Sequence, residues 1–190
     1  MLGDVVTMTY DEDKLTELIL YVAKRTSGDR SSGATKLNKY LYFADFAAVR
    51  TIGRPITGAE YQKLPHGPAP RRLPPIRKKL VANGEVRIEE RADAFGYVHH
   101  VLVPLREPRV ELFTPEEIDL VDGVIEALRD LSVTQVSVRS HIEAGWQLVE
   151  EGETIPYELA FVLAPTEADP TPSIRTEGER LLALYASELA

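Results

Sequence analysis

Apolar residues recur at helical spacing near the start of the chain, and they predict the first helix over about residues 11–26. Its apolar face consists of Leu15, Leu18, Ile19, Val22 and Ala23. Thr9 precedes Glu12 by three positions, which is the spacing of a capping box. Gly28 and the polar residues around it predict the end of this helix.

A second apolar stripe predicts a helix over about residues 35–50 that is covered on most of its sides. The stripe consists of Leu37, Tyr40, Leu41, Ala44 and Ala48, and it is widened by Phe43, Phe46 and Ala47. Asp45 lies inside this apolar stretch, and an unpaired buried carboxylate would cost several kcal/mol. We therefore expect Asp45 to form a salt bridge or a hydrogen bond that orders a loop, in preference to a catalytic role.

Glycine and proline punctuate residues 53–70 so densely that they predict an ordered loop of fixed shape. A turn is expected at residues 69–73, then a helix over 74–82 that closes at Asn83 and Gly84. Strand-forming residues at 85–91 and 97–103 predict an antiparallel hairpin whose loop is 92–96. Because a two-stranded ribbon is marginal alone, the hairpin should pack against helices.

The second half of the chain again shows helix signals. Thr114, Pro115 and Glu117 predict a capped start for a helix that continues to about Asp130. A shorter helix should begin at Ser132 or Thr134 and end near residue 142, and a helical turn should follow Ile155. The fold class is thus mainly α with a small antiparallel β-hairpin (α+β). We expect a compact helical domain at residues 8–163, a linker at 164–172 and a C-terminal helix at 173–190.

Charge is distributed unevenly along the 190 residues. The net charge of −8 divides into 0 for residues 1–50, +5 for 51–110 and −13 for 111–190. The acidic second half argues against wrapping nucleic acid and suits a basic protein partner, or a solvated surface. The absence of cysteine excludes disulfides and Cys-based zinc sites. With neither a membrane-length apolar run nor a signal-peptide pattern, we predict a cytoplasmic protein without a membrane partner.

Motifs of common enzyme classes are missing from the sequence. It contains no P-loop, no G-x-S-x-G elbow and no H-E-x-x-H helix. Ser140 and His141 are adjacent, and adjacent helical side chains diverge, so they do not predict a catalytic dyad. The four histidines lack ligand spacing. We predict no metal, no cofactor and no enzymatic activity.

Several motifs in order resemble one known family. They are KLNKYLYFA at 36–44, GRPITGAEY at 53–61, GPAP at 67–70, SHIEAGW at 140–146 and IPYELA at 155–160. Together they resemble the Panacea domain of the SocA-like antitoxins over about residues 10–162. Leu73, Pro74 and Pro75 depart from the family pattern, in which the helix after the turn begins smoothly.

The resemblance implies an antitoxin that neutralises a partner toxin by direct binding, the toxin being encoded beside it. The SocA member of the family is instead an adaptor that delivers its toxin to a protease, so a protease system could be a partner in addition to the toxin. The candidate motif or partner-binding residues are Lys36, Tyr42, Asp45, Tyr61, His66, Gly67, Pro68, Pro70, Trp146 and Tyr157. We expect Asp45 to hold the loop, and the loop to display Tyr61, His66 and Pro68.

Two other functions fit parts of the sequence. The basic helix at 71–79, with the hairpin as a wing, would suit a DNA-binding regulator. Its cations are Arg71, Arg72, Arg77, Lys78 and Lys79, for which a solvated face or pairing with acidic residues is the simpler explanation. A small hydrolase-like enzyme would need Asp45 and His66 to meet through the loop.

Overall fold

A computed structural model describes residues 8–29, 32–92, 96 and 98–162. The predicted linker at 164–172 and the predicted C-terminal helix at 173–190 lie outside these residues. The described part is mainly α-helical with two small antiparallel sheets, which confirms the predicted fold class. No described helix is long and apolar enough to cross a membrane.

The described helices are six. They are α1 (Glu12–Arg25), α2 (Ala34–Ile52), α3 (Leu73–Ala82), α4 (Pro115–Arg129), α5 (Val133–His141) and α6 (Ala144–Gln147). The strands are β1 (Tyr61–Gln62), β2 (Ala69–Pro70), β3 (Val86–Ala92) and β4 (Val98–Pro104). Two 3₁₀ helices, Val110–Leu112 and Tyr157–Phe161, complete the order.

Helix α2 lies at the centre of the core, as its broad apolar surface predicted. It packs against α1, α4, α5, β2, β4 and the 3₁₀ helix Tyr157–Phe161. Buried side chains on α2 point in all directions, and they include two lysines and an aspartate as well as apolar residues. A helix enclosed in this way can place polar groups against several neighbouring elements at once.

Capping residues set the helix starts. Asp11, and not Thr9, caps α1 by accepting a hydrogen bond from the Lys14 backbone N–H at 2.9 Å. The predicted capping box at Thr9 is therefore wrong, because Asp11 stands directly before the first helical residue and offers the better acceptor. The predicted box of Thr114 and Glu117 is confirmed at α4, and Ser132 caps α5.

The pairing of β1 with β2 was missed in the sequence, where residues 69–73 predicted only a turn. Tyr61 pairs with Pro70 and Gln62 with Ala69, so this short ladder closes the loop after α2. Helix α3 then starts one residue earlier than predicted, with the prolines at 74 and 75 in its first turn.

The predicted hairpin is confirmed, displaced by one residue. Its register runs from Val86 opposite Pro104 to Ala92 opposite Val98, and it packs against α1, α2 and α3. Residues 53–72 separate α2 from α3, whereas the helices of a helix-turn-helix are joined by a turn of three to four residues. The basic helix and the wing-like hairpin therefore do not complete that motif.

Two buried glutamates connect α1 to later elements. Glu17 accepts hydrogen bonds from the Arg106 guanidinium at 2.8 Å and from Arg109 at 2.8 and 2.9 Å. Glu117 on α4 pairs with Lys14 at 2.8 Å and with Arg54 at 3.0 Å. Each buried carboxylate is thus matched by two cations, which offsets its desolvation.

Replacing Glu17 with Gln should remove a stabilisation that requires the ionised carboxylate. Burial alone would raise the pKa of Glu17, but the bonds from Arg106 and Arg109 lower it from 4.5 to about 2. Since the folded-state pKa is depressed, this stability is present above about pH 4.5 and is lost as the pH falls towards 2. At neutral pH we expect a loss of about 2 kcal/mol, allowing for solvent screening at the half-exposed arginines.

The measurement is urea denaturation across the acidic range, with the exposed Glu116→Gln as control. The difference between wild type and Glu17→Gln should shrink as the pH falls, whereas the control should follow wild type throughout. A difference that does not change with pH would contradict the assigned ion pairs.

Candidate functional site

The carboxylate of Asp45 is the hub of a buried polar network. Asp45 is fully buried on α2, and its Oδ1 accepts the Thr57 backbone N–H at 2.8 Å. Its Oδ2 accepts the Thr57 hydroxyl and lies 2.8 Å from the Tyr61 hydroxyl and 3.3 Å from the Tyr157 hydroxyl. The network joins α2 to the following loop and to the 3₁₀ helix Tyr157–Phe161. It confirms the predicted role of Asp45 in ordering the loop.

Each tyrosine of this network has one proton and two acceptors within reach. The Tyr61 hydroxyl lies 2.8 Å from the Leu41 carbonyl, and the Tyr157 hydroxyl lies 2.7 Å from the Ala59 carbonyl. Burial raises the pKa of Asp45, and hydrogen bonds from Thr57 and Tyr61 oppose this shift. A protonated Oδ2 could donate to one tyrosine oxygen while both tyrosines donate to carbonyls, so the hydrogen bonds can be completed in either protonation state.

Aromatic rings enclose the network. Tyr42 lies 4.2 Å from Phe46 and 5.5 Å from Tyr61 between ring centroids, and Tyr157 lies 4.9 Å from Phe46. Tyr42 and Tyr61 are completely buried, so the expectation that the loop displays Tyr61 is wrong. Burial and the charge of Asp45 raise the pKa of Tyr61 and of Tyr157. Tyr42, Phe46 and Tyr61 fill the core, and Tyr157 is half-buried beside them.

The Gly67–Pro68 turn is clamped between α2 and α5. Gly67 has φ +98°, and a Cβ there would lie within 3 Å of both the Lys39 Nζ and the Ser140 Oγ. Lys39 donates from Nζ to the Pro68 carbonyl at 3.1 Å, and the Ser137 hydroxyl donates to the His66 carbonyl at 3.3 Å. Glycine is required here for its backbone conformation and for the close approach of these side chains.

The clamped turn buries most of the residues that it was expected to display. Gly67, Pro68 and Pro70 are buried, so the predicted display of Pro68 is wrong, and Pro70 pairs with Tyr61 in the short sheet. His66 is exposed, as predicted. The hydrogen-bond partners of Asp45 do not include His66, so the geometry does not bring together the pair that a hydrolase would need.

Trp146 is a half-buried anchor on α6. His141 stacks on its ring at 4.0 Å, and the Lys63 Nζ lies 4.3 Å from the ring centroid. Its indole N–H donates to the Leu64 carbonyl at 3.2 Å. Burial lowers the pKa of His141, and the neighbouring basic side chains of Lys39 and Lys63 contribute to this shift. The tryptophan therefore fixes the end of α5 and α6 against residues 63 and 64.

Lys36 is also part of the scaffold. It is buried, forms an ion pair with Asp29 and donates from Nζ to the Arg129 carbonyl at 2.8 Å. This lysine connects the start of α2 to the end of α4. Of the ten candidate residues, only His66 is exposed; the others are buried or half-buried.

Sequence reasoning missed Lys39, Thr57, Ser137 and Ser140. Lys39 stands three positions after Lys36 in the KLNK motif, on a helix predicted to be enclosed. That position could have indicated burial, because the two lysines fall on neighbouring parts of one helix surface. The hydrogen bond of Thr57 with Asp45 joins positions 12 residues apart, and that of Ser137 with His66 joins positions 71 residues apart, so local patterns do not reveal them.

Apolar side chains are exposed on the elements that follow α4. Val138 and Ile142 lie at i and i+4 at the end of α5, with 57% and 58% of their surface exposed. Leu148 directly after α6, Phe161 at the end of the last 3₁₀ helix and Val162 directly after it are also exposed, and these two helices contact each other. We refer to these five residues as the C-terminal apolar surface. The exposed Glu150, Glu151 and Glu158 lie close to it in the sequence.

A comparison with protein families identifies a similarity over much of this structure. The model of the antitoxin SocA-like Panacea domain matches residues 37–147, more than half of the chain. The matched range includes Asp45, the Gly67–Pro68 turn and Trp146. It is narrower than the coverage of 10–162 expected from the motifs. No curated protein and no solved structure matches the chain.

Replacing Asp45 with Ala should destabilise the fold by about 3 kcal/mol, because it leaves the buried donors of Thr57 and Tyr61 without their acceptor. For a chain of this length the melting temperature should fall by about 6–12 °C. Asp45→Asn retains an acceptor for the Thr57 N–H and should lose less than half as much. Circular dichroism would measure both, and an unchanged melting temperature for Asp45→Ala would contradict the role of the hub.

Lys39 should make the stability rise with pH above neutrality. Burial lowers the pKa of Lys39 from 10.5 to about 7. Since the folded-state pKa is depressed, the protonated amine destabilises the fold fully below about pH 7, and this cost is relieved as the pH rises towards 10.5. From about pH 7 to about pH 9, wild type should gain about 2 kcal/mol relative to Lys39→Met in chemical denaturation. Lys78 is exposed, so Lys78→Met serves as the control. The stability difference between wild type and Lys78→Met should stay the same over this pH range.

Proposed function

Because the chain belongs to the SocA-like Panacea antitoxin family, we propose that it neutralises a partner toxin by binding it directly. The family match over residues 37–147 is the observation that carries this conclusion. It supports an antitoxin role and, in general terms, a toxin as partner. It also favours a role that is not enzymatic.

The buried networks support neutralisation by a preorganised surface. Ser137 and Trp146 hold α5 and α6 against residues 64 and 66, and Asp45 holds the 3₁₀ helix Tyr157–Phe161. The elements that carry the C-terminal apolar surface are therefore fixed by contacts with segments distant in sequence. A surface ordered before binding loses less conformational entropy when the complex forms. The motif residues thus act as the scaffold of the binding surface more than as contacts.

The C-terminal apolar surface is the contact region that we assign to the toxin. Its exposed aliphatic and aromatic side chains could occupy pockets on a partner, as interface anchors do. Residues 111–162 carry twelve acidic and two basic side chains, a charge of −10. Long-range attraction would therefore speed association with a basic toxin and would weaken as salt is added.

DNA binding is a second candidate for one specific reason. Arg77 and Lys78 are exposed on α3, and they form no ion pair within the described part of the chain. Their basic surface is local, whereas the whole chain carries −8. A salt-dependent shift of the DNA upstream of its own gene would support this candidate.

Co-expression with the product of the neighbouring gene tests the toxin hypothesis. Wild type should form a complex that is stable in size-exclusion chromatography and should restore the growth of cells that express the toxin. If wild type does neither, the proposal is wrong. If growth returns only when a cellular protease is present and the toxin disappears, the chain acts as an adaptor.

Substitutions at Val138 and Ile142 test the contact surface. The double variant Val138→Asp, Ile142→Asp should weaken toxin binding by at least about tenfold, because it places charge in a desolvated contact. Both side chains are mostly exposed, so the melting temperature should change little. Val81→Asp on α3 is the matched control, since Val81 is exposed on another element. If wild type and the double variant bind the toxin with equal affinity, the toxin does not bind at Val138 and Ile142.

A further inference from the structure

A groove lies where α2, α4 and α5 meet. Its volume is about 260 Å³, and its apolar lining includes Phe43 and Ala47 from α2 and Val124 and Leu128 from α4. Its charged lining residues are Arg50, Arg139 and Glu143. The groove is separate from the Asp45 network and from the clamped turn.

The two arginines differ in their pairing. Arg50 pairs with Glu143 at 3.1 Å and donates from Nε to the Phe46 carbonyl at 3.3 Å. Arg139 is exposed and makes no hydrogen bond or ion pair with any residue that the structure describes. It is one of only two basic residues between 111 and 162, and the other, Arg129, pairs with Glu126. The groove therefore presents an available guanidinium next to an apolar surface.

The size of the groove limits what it can hold. Sites for drug-sized ligands usually measure roughly 300–1,000 Å³, so this groove suits one or two side chains better than a cofactor. A guanidinium favours a carboxylate, which it can bind through two parallel hydrogen bonds. The complementary ligand is an apolar group that carries a carboxylate close by.

We infer that the α2–α4–α5 groove receives a large apolar side chain of the partner toxin, with a neighbouring carboxylate of the toxin bound to Arg139. This inference rests on the proposed function. A partner is favoured as the occupant because the exposed Ile142 follows Arg139 by three positions, a spacing that places the two side chains next to each other at the end of α5. A single carboxylate of the toxin at Arg139 is compatible with a toxin whose net charge is positive.

A fragment experiment tests the chemistry of the groove without the toxin. The full-length protein is titrated with 4-phenylbutanoate and with 4-phenylbutan-1-ol, which differ in the carboxylate, and NMR follows the methyl groups of Ala47, Val124 and Leu128. The carboxylate should bind up to about fivefold more tightly, as expected for an exposed ion pair. Arg139→Gln should abolish this preference, whereas Arg77→Gln on α3 removes the same charge and should keep it.

Equal binding of the two fragments, or shifts confined to other residues, would overturn the inference. The chain's own residues 163–190 are a competing occupant, since this segment contains Leu181 and Leu184. If Leu181→Asp, Leu184→Asp increases fragment affinity, the segment occupies the groove and the inference is wrong. Concentration-dependent loss of fragment binding with dimer formation would assign the groove to a second copy, and would also overturn it.

A toxin-neutralisation assay with groove variants distinguishes an error in this inference from an error in the proposed function. Ala47→Arg should fill the groove and reduce toxin affinity at least about tenfold, because it removes the space for an apolar anchor. Ala82→Arg, on the exposed side of α3, is the matched control. Arg139→Glu is a second variant at an exposed position, in case Ala47→Arg fails to fold. If wild type and both groove variants all restore growth, the groove is not the contact; if wild type fails, the antitoxin function itself is wrong.

Discussion

The burial of the Asp45 carboxylate is the constraint on which the rest of the structure depends. A carboxylate enclosed by apolar residues on α2 requires donors, and α2 cannot provide them from its own backbone. The chain must therefore return after Ile52 to bring Thr57 and Tyr61 against the helix, and again to bring Tyr157. These contacts fix the path of the loop and the place of the last 3₁₀ helix. The short pairing of β1 with β2 follows, because it begins at Tyr61.

Lys39 extends this constraint to the surface. Its buried amine donates to the Pro68 carbonyl, and the turn at Gly67 is small enough to fit between Lys39 and Ser140. Helix α5 therefore packs against the turn on one side, while Val138 and Ile142 remain on its exposed side. The same helix lines the groove with Arg139. The buried polar groups thus determine how α5 presents both its apolar residues and its guanidinium.

Elements governed by local patterns could be predicted from the sequence. The periodicity of α1 and α2, the capping box of α4, the hairpin and the buried role of Asp45 all depend on residues close together in the chain. The pairing of β1 with β2 could not, because two-residue strands leave no alternation to detect. Tyr61 and Pro68 were predicted to be exposed and are buried. A tyrosine or a proline in a loop is compatible with either state, so the sequence does not decide between them. Lys39 was missed because a lysine is rarely enclosed without a counter-charge.

Because most of the motif residues are buried or half-buried, the choice of partner would depend on exposed residues. The motifs through which the chain resembles the family include residues of the Asp45 network, the Gly67–Pro68 turn and Trp146, and most of these motif residues are buried or half-buried, although Ile142 is exposed. Val138, Leu148 and Phe161 lie outside those motifs and are exposed. Substitution at such positions usually changes stability by less than about 0.5 kcal/mol, whereas substitution in the buried networks costs several times more. Under the proposed function, a change of toxin could therefore be accommodated by substitution at such surface positions while the scaffold that orients them stays the same.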